Sequence, residues 1–268
     1  MSGANGIVDI HVHLNDEPGY LDALVMTATD LGFETLCLSG TGAYHHHLED
    51  DDVLEAAAKH PDLITPLAFL KHDEWTVKTV EAKRAEGFVG LKTIDPAKDY
   101  DDESYFGLYE AAAGLGMPIL FHTGIKARFP VDEPTIGRTK QMRPITLDAI
   151  ARRFPTLNLI GAHIGPPWYD EALMVSRVNP NVYVEFSSGS GWRKKGMTPE
   201  WFRQHLWWDG AWRKVVFASD VHFSRLAWAV DVYREILDGV GLSPEDREAV
   251  WHGTLNGILS KVASPRGA

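Results

Sequence analysis

Cysteine occurs once in these 268 residues, at Cys37, which excludes an intrachain disulfide. It sits in the apolar run "FETLCLSG" (33–40), where a buried, inert thiol is expected. No apolar run approaches the ~20 residues that a membrane-spanning helix needs. The opening "MSGANG" carries neither a basic n-region nor an apolar h-region, so a soluble, cytoplasmic protein without a signal peptide is expected. Positive charge is scarce: 26 Lys and Arg stand against 37 Asp and Glu, for a net charge of −11. That balance argues against a non-specific hold on nucleic acid or an anionic membrane. No linker or low-complexity segment divides the chain. The first strand-to-helix junction, "HVHLNDEPGY" (11–20), has no G-x-G-x-x-G, which argues against the dinucleotide-binding form of an open α/β sheet.

What is there is alternation. The 44% hydrophobic content can build a large core. Short β-like runs recur at 6–14, 33–40, 63–70, 87–94, 117–124, 157–165, 181–188 and 214–221, several of them near-continuously apolar, as buried parallel strands are. Pro66 weakens the third run. Amphipathic stretches lie between them, at roughly 18–31, 48–60, 73–86, 101–115, 144–154, 167–179, 198–208 and 223–239. Gly32, Gly87 and Gly116 stand where C-terminal helix caps belong, and "HPDL", "FPTL" and "NPNV" use proline to end three other helices. A further amphipathic segment, 243–262, opens on "SPED", a serine cap with proline at the first helical position. Eight strands alternating with helices predict a (β/α)8 TIM barrel, one domain over 1–268 with an extra C-terminal helix; a doubly wound open sheet is the rival.

The hexapeptide "DIHVHL" (9–14) places His11 and His13 on alternate positions of a strand. By ideal alternation Asp9 shares their face, and Ile10, Val12 and Leu14 take the other. Two neutral imidazoles on one face are most useful as ligands to one metal ion. In a barrel, chemistry collects at the C-terminal ends of the strands. Lys92 lies near the end of the fourth run, His122 the fifth, His163 the sixth and Asp220 the eighth. Taken singly, His122 and His163 also read as core histidines, Asp220 as a helix N-cap and Lys92 as an ion-pair partner. Together they converge on one mouth, where a carboxylate buried among imidazoles calls for a cation.

This order of H-x-H, lysine, histidine, histidine and aspartate resembles the amidohydrolase superfamily of metal-dependent TIM-barrel enzymes. The similarity is closest to its amidohydrolase-related (amidohydrolase 2) branch of hydrolases and decarboxylases, and runs from "DIHVHL" through "PILFHTG" and "LIGAHIG" to "FASD". The resemblance implies that His11, His13, His122 and Asp220 match metal-ligand positions, and that His163 matches a histidine that polarises substrate or activates water. The chain departs from the branch's S-D-x-P, reading "SDVH" with His222 in place of proline. It departs from TatD-like nucleases at Phe88, where they carry an acid.

The activity so implied is hydrolysis of a small molecule with an amide, lactone or ester-like bond. Zn2+ would lower the pKa of a bound water to ~7, with Asp220 taking the proton and His163 stabilising the oxyanion. One metal per chain is expected; two would require a carbamylated Lys92, because a free ammonium only donates, and an unmodified Lys92 would instead hold a substrate carboxylate or pair with an acid. A non-oxidative decarboxylase of a small carboxylic acid and a non-catalytic metal-binding barrel are the alternatives. Around the mouth, Lys126 and Arg128 suit an anionic group, and Trp168, Trp192 and His222 could line a pocket. His45, His46 and His47, and Glu185 in the seventh run, have no assigned role. "HLWWDGAW" (205–212) reads as helix packing or a homo-oligomer contact.

Overall fold

A computed structural model of the chain describes residues 6–42, 46–126, 137–187 and 195–262. Seven parallel strands follow one another in chain order: β1 (Ile7–His13), β2 (Phe33–Ser39), β3 (Ile64–Phe69), β4 (Gly90–Thr93), β5 (Ile119–Phe121), β6 (Leu159–Gly161) and β7 (Val182–Val184). The intervening helices are α1 (Tyr20–Asp30), α2 (Asp50–Lys59), α3 (Val77–Glu86), α4 (Phe106–Leu115), α5 (Thr146–Arg153) and α6 (Tyr169–Val178). After β7 come α7 (Pro199–His205) and α8 (Leu226–Val240). Local chemistry sets these boundaries. Glu49 and Asp52 close a capping box at the start of α2, and Gly87 and Gly116 end α3 and α4 with positive φ. Pro66 is tolerated within β3. No helix among the described residues is long and apolar enough to cross a membrane.

The eighth run closes the barrel without forming a regular strand. Among the described residues its ladder is one bridge, Val215 beside Val184. Yet Val216 N–H donates to Val184 O at 3.0 Å, Ile10 N–H to Phe217 O at 3.3 Å, and Asp220 N–H to His11 O at 2.8 Å. The run thus touches both β7 and β1. Two things break its regularity: Phe217 N–H turns away to Val250 O, and Asp220 adopts φ 45°. The expected eight strands are therefore seven plus this irregular closing segment.

Alternation along the strands sorts the core into two layers. Leu36 and Leu38, Ile119 and Phe121, Val215 and Phe217 pack outward beneath the helices. Cys37, Leu120, Ile160, Val216 and Ala218 form a separate inner cluster, and burial pushes the Cys37 thiol up, out of its reactive range. Leu255 and Ile258 complete that cluster from the C-terminal segment. There Ser243 caps α9 (Pro244–Glu248), a π turn spans Ala249–Gly253, and α10 (Thr254–Leu259) packs on β1. The chain then passes over Gly116, just before β5 begins, where a Cβ would overlap the Lys261 carbonyl. The floor of the barrel is thus plugged from below, leaving the opposite end for a site.

Candidate metal centre

β1 does not keep ideal alternation. Val8 and Ile10 join the inner cluster while Val12 and Leu14 pack outward, and the pairing with β2 slips between Asp9 and Val12. Ile10 therefore does not share a face with Val12, contrary to the simple period-2 reading. The irregularity lets His11 and His13 follow Ile10 into the barrel mouth, a re-aiming typical of such slips. Asp9 secures it: its Oδ1 accepts the N–H of His11 at 2.9 Å and of Ser219 at 3.0 Å, tying β1 to the closing run. Burial pushes the Asp9 carboxyl up to about 7.

The tautomers of three histidines follow from their partners. His11 Nδ1 lies 2.9 Å from Glu185 Oε1, and a carboxylate only accepts, so this nitrogen carries the proton. His13 Nδ1 faces the Ser39 carbonyl at 3.3 Å and is protonated for the same reason. Ser187 Oγ donates to Glu185 Oε1 at 3.0 Å, so it accepts from His163 Nδ1–H at 2.8 Å. Each ring is left with a bare lone pair on Nε2. The Nε2 atoms of His11 and His13 are 3.2 Å apart, and Asp220 Oδ1 is 3.6 Å from both. Asp220 Oδ2 lies 3.7 Å from His163 Nε2. Burial keeps the imidazoles neutral: it drives the pKa of His11 and His13 well below the usual range and that of His163 down to about 4.

Lone pairs and a carboxylate turned on one point, with no proton between them, repel unless a cation lies there. Two ligands at ~2.05 Å from a tetrahedral Zn2+ stand about 3.3 Å apart, close to the separations around His11, His13 and Asp220. These donors therefore fit a divalent ion. Among the described residues, His11, His13 and Asp220 form one set whose ligand atoms all lie within 4.8 Å of one another, and His11, His163 and Glu185 another. His122 belongs to neither. Its ring sits 5.0 Å from that of His163, and its Nε2 donates to Ile125 O at 3.4 Å, which leaves Nδ1 as its lone pair.

The other candidates fall on and off a cavity of about 260 Å3 above this centre. Lys92 lines it, fully buried, with no hydrogen-bond partner for Nζ among the described residues. Burial draws its pKa down to about 8, against the pull of Asp220 and Glu185. Lys126 lines the rim, paired with Asp95. His222 does too, held by Glu17 at 3.2 Å and Ser224 at 2.8 Å. His47 lines the cavity and stacks on His13, ring centroids 4.3 Å apart, whereas His46 is exposed and outside it. Trp168 is not among the lining residues; the Arg143 guanidinium covers its ring at 5.2 Å. Trp207, in the apolar "HLWWDGAW" stretch, is exposed beneath the Arg177 guanidinium. Arg128, Trp192 and His45 lie outside the described residues. Sequence reasoning missed Ser187 altogether; the signal available was its position two residues after Glu185, on the same side of an extended segment.

The backbone is bent where the chemistry sits. His163, Ile164 and Gly165 take φ of 64°, 54° and 56°, and Asp220 takes 45°. Non-glycine residues in this region cost ~1–3 kcal/mol each and persist where their surroundings hold them. Ile164 N–H is held by Glu185 O at 2.9 Å, and Asp220 N–H by His11 O at 2.8 Å.

An amidohydrolase family model matches residues 8–254, nearly the full length. The chain belongs to the amidohydrolase-2 family. Members of this family are metal-dependent enzymes. A comparison with curated proteins finds no sequence match. Among solved structures, an uncharacterised TIM-barrel protein from Bordetella bronchiseptica is similar at 16% identity and TM-score 0.73, over 96% of this chain and 99% of that one. A 2,6-dihydroxybenzoate decarboxylase from Rhizobium is similar at 16% identity and TM-score 0.67, with the same coverage. A probable 2-pyrone-4,6-dicarboxylic acid hydrolase from Acinetobacter baumannii is similar at 12% identity and TM-score 0.69, over 95% and 99%. At these identities the structures attest the TIM-barrel fold.

Proposed function

We propose that this amidohydrolase is a hydrolase of small molecules carrying an amide, lactone or ester-like bond. One observation carries the reading: bare Nε2 atoms of His11, His13 and His163 meet the Asp220 carboxylate at the base of a polar cavity. His11, His13 and Asp220 would hold one divalent ion, most simply Zn2+, and His122, outside that group as the chain stands, would have to move towards it to serve as the fourth ligand. Such an ion supplies Lewis acidity to a carbonyl and acidity to water.

The remaining work falls to the chain. Asp220 accepts a proton from the attacking water, and His163 Nε2, 3.7 Å from its second oxygen, is the next acceptor. Held with its proton on Nδ1, His163 serves an oxyanion only after taking up that second proton; the resulting N–H then stabilises the developing charge or is passed to the leaving group. Lys92 stays an unmodified ammonium near Asp220 and Glu185. Lys126 and His222 orient polar substrate groups at the rim.

A second reading, non-oxidative decarboxylation of a small carboxylic acid, is favoured by the Lys92 Nζ, which has no hydrogen-bond partner among the described residues and suits a substrate carboxylate. The zinc-loaded protein, assayed against lactones, amides, esters and hydroxybenzoates, distinguishes the two. Acid and alcohol or amine without carbon dioxide are expected. Carbon dioxide as the product overturns hydrolysis in favour of the second reading.

A further inference from the structure

Glu185 is wholly buried and reaches two histidines of the centre by different routes. Its Oε1 meets His11 Nδ1 directly at 2.9 Å, but stands 3.8 Å from His163 Nδ1. Ser187 fills that second gap, accepting from His163 at 2.8 Å and donating to Glu185 at 3.0 Å. The Ser187 backbone N–H holds the other carboxylate oxygen, which stops the carboxylate from rotating towards either ring. The main chain repeats the pattern: Glu185 N–H donates to Gly161 O at 3.2 Å, and Glu185 O takes Ile164 N–H at 2.9 Å, fixing the left-handed turn that carries His163.

From this geometry we infer that Glu185 and Ser187 are positioning residues with separable tasks. Glu185 anchors metal retention through His11, and Ser187 sets the His163 tautomer, so that Nε2 faces Asp220 as an acceptor. This rests on the functional reading above only for the use made of His163; the tautomer and the metal affinity can be measured without substrate. A hydroxyl is the group that suits the gap. With one proton committed to the carboxylate, its oxygen can only accept from the imidazole. Without it, among the described residues His163 Nδ1 is left with Glu185 Oε1 at 3.8 Å and Nε2 with Asp220 Oδ2 at 3.7 Å, so neither neutral form is held by a hydrogen bond. Removing an outer partner of a metal-bound histidine typically weakens binding about 10–100-fold, which sets the expectation for Glu185.

The test uses the full chain, metal-free and loaded with Zn2+, with ring-nitrogen NMR of 15N-histidine-labelled protein and a Zn2+ titration. Wild-type His163 is expected to show its proton on Nδ1 in both forms. Ser187→Ala should give a mixture of tautomers, or the Nε2–H form, with Zn2+ affinity within about threefold of wild type. Ser187→Thr, which keeps the hydroxyl, should restore the wild-type spectrum. Glu185→Gln should weaken Zn2+ by at least about tenfold. An unchanged Nδ1–H signal in Ser187→Ala overturns the inference, as does equal loss of Zn2+ in the Ser187→Ala and Glu185→Gln proteins. If Glu185→Gln does not fold, the Ser187 pair still decides the tautomer. Failure of wild type to bind Zn2+ would refute the metal-dependent reading, while the tautomer result would stand or fall on its own.

Discussion

Each imidazole of the centre is neutral because burial makes the alternative expensive, and each is aimed because its second nitrogen is engaged. The residues should therefore separate by task. His11→Ala or His13→Ala removes a donor and is expected to cut the metal content of the purified protein to less than about a tenth, by elemental analysis, since even outer partners are worth 10–100-fold. Asp220→Asn keeps the shape and removes the basicity. Turnover of any accepted substrate should fall by ~10²–10⁴, with much less metal lost than in His11→Ala. Away from the centre, His72 is a buried imidazole hydrogen-bonded to Tyr109 at 2.8 Å and Thr93 at 3.0 Å, its pKa lowered to about 3 from 6.5 by burial. The unfolded chain takes up this proton first as pH falls. His72 therefore contributes stability in full above pH 6.5, and loses it between 6.5 and 3, at up to about 1.4 kcal/mol per pH unit. Urea denaturation of wild type and His72→Gln at pH 7 and 4.5 should show a shallower pH dependence in the variant.

Strands and turns divide into what the sequence pattern shows and what it hides. Alternation was legible wherever the pleat is regular: Cys37 between Leu36 and Leu38, Leu120 between Ile119 and Phe121. The helix-ending glycines and prolines were equally plain, because one residue with unusual φ freedom or no N–H suffices to mark them. The slip in β1 was hidden, since period-2 reasoning assumes ideal geometry and does not see Asp9 tied to Ser219 of the closing run, 210 residues later in the chain. Ser187 was hidden because its meaning depends on two residues 2 and 24 positions away, one of them in the turn that follows β6. The polar residues at the strand ends were legible as a set, and His11, His13, Lys92, His122, His163 and Asp220 do line one cavity. Turn geometry also carries a test. Gly124, two residues after His122, adopts φ 90°, where a Cβ would overlap the Pro166 carbonyl. Gly124→Ala is expected to destabilise by more than about 1 kcal/mol in chemical denaturation, from strain and overlap together.

Taken as one body, the barrel keeps its strength at the floor and its chemistry at the mouth. Leu255 and Ile258, each 1% exposed, plug the inner cluster from the C-terminal segment, far along the strands from the histidines. Leu255→Ala or Ile258→Ala should cost ~2–5 kcal/mol of folding stability by urea titration. The Zn2+ affinity of whatever remains folded should equal that of wild type. Loss of metal in proportion to stability would mean that floor and mouth are one cooperative structure.

Barrel closure has a consequence for the life of the newly made chain. Ile10 bonds to Phe217 and Asp220 to His11, so the first strand waits for a segment more than 200 residues downstream. At ~5–20 residues per second, that interval is roughly 10–40 s on the ribosome. Throughout it β1 has a free edge, the kind of surface that nascent-chain chaperones cover. The centre, whose donors run from His11 to Asp220, has no complete form until that segment emerges. Loading with metal is therefore a late event, and a chain stopped before Val215, lacking both the closing run and Asp220, should hold Zn2+ more weakly than the full chain however long it is incubated.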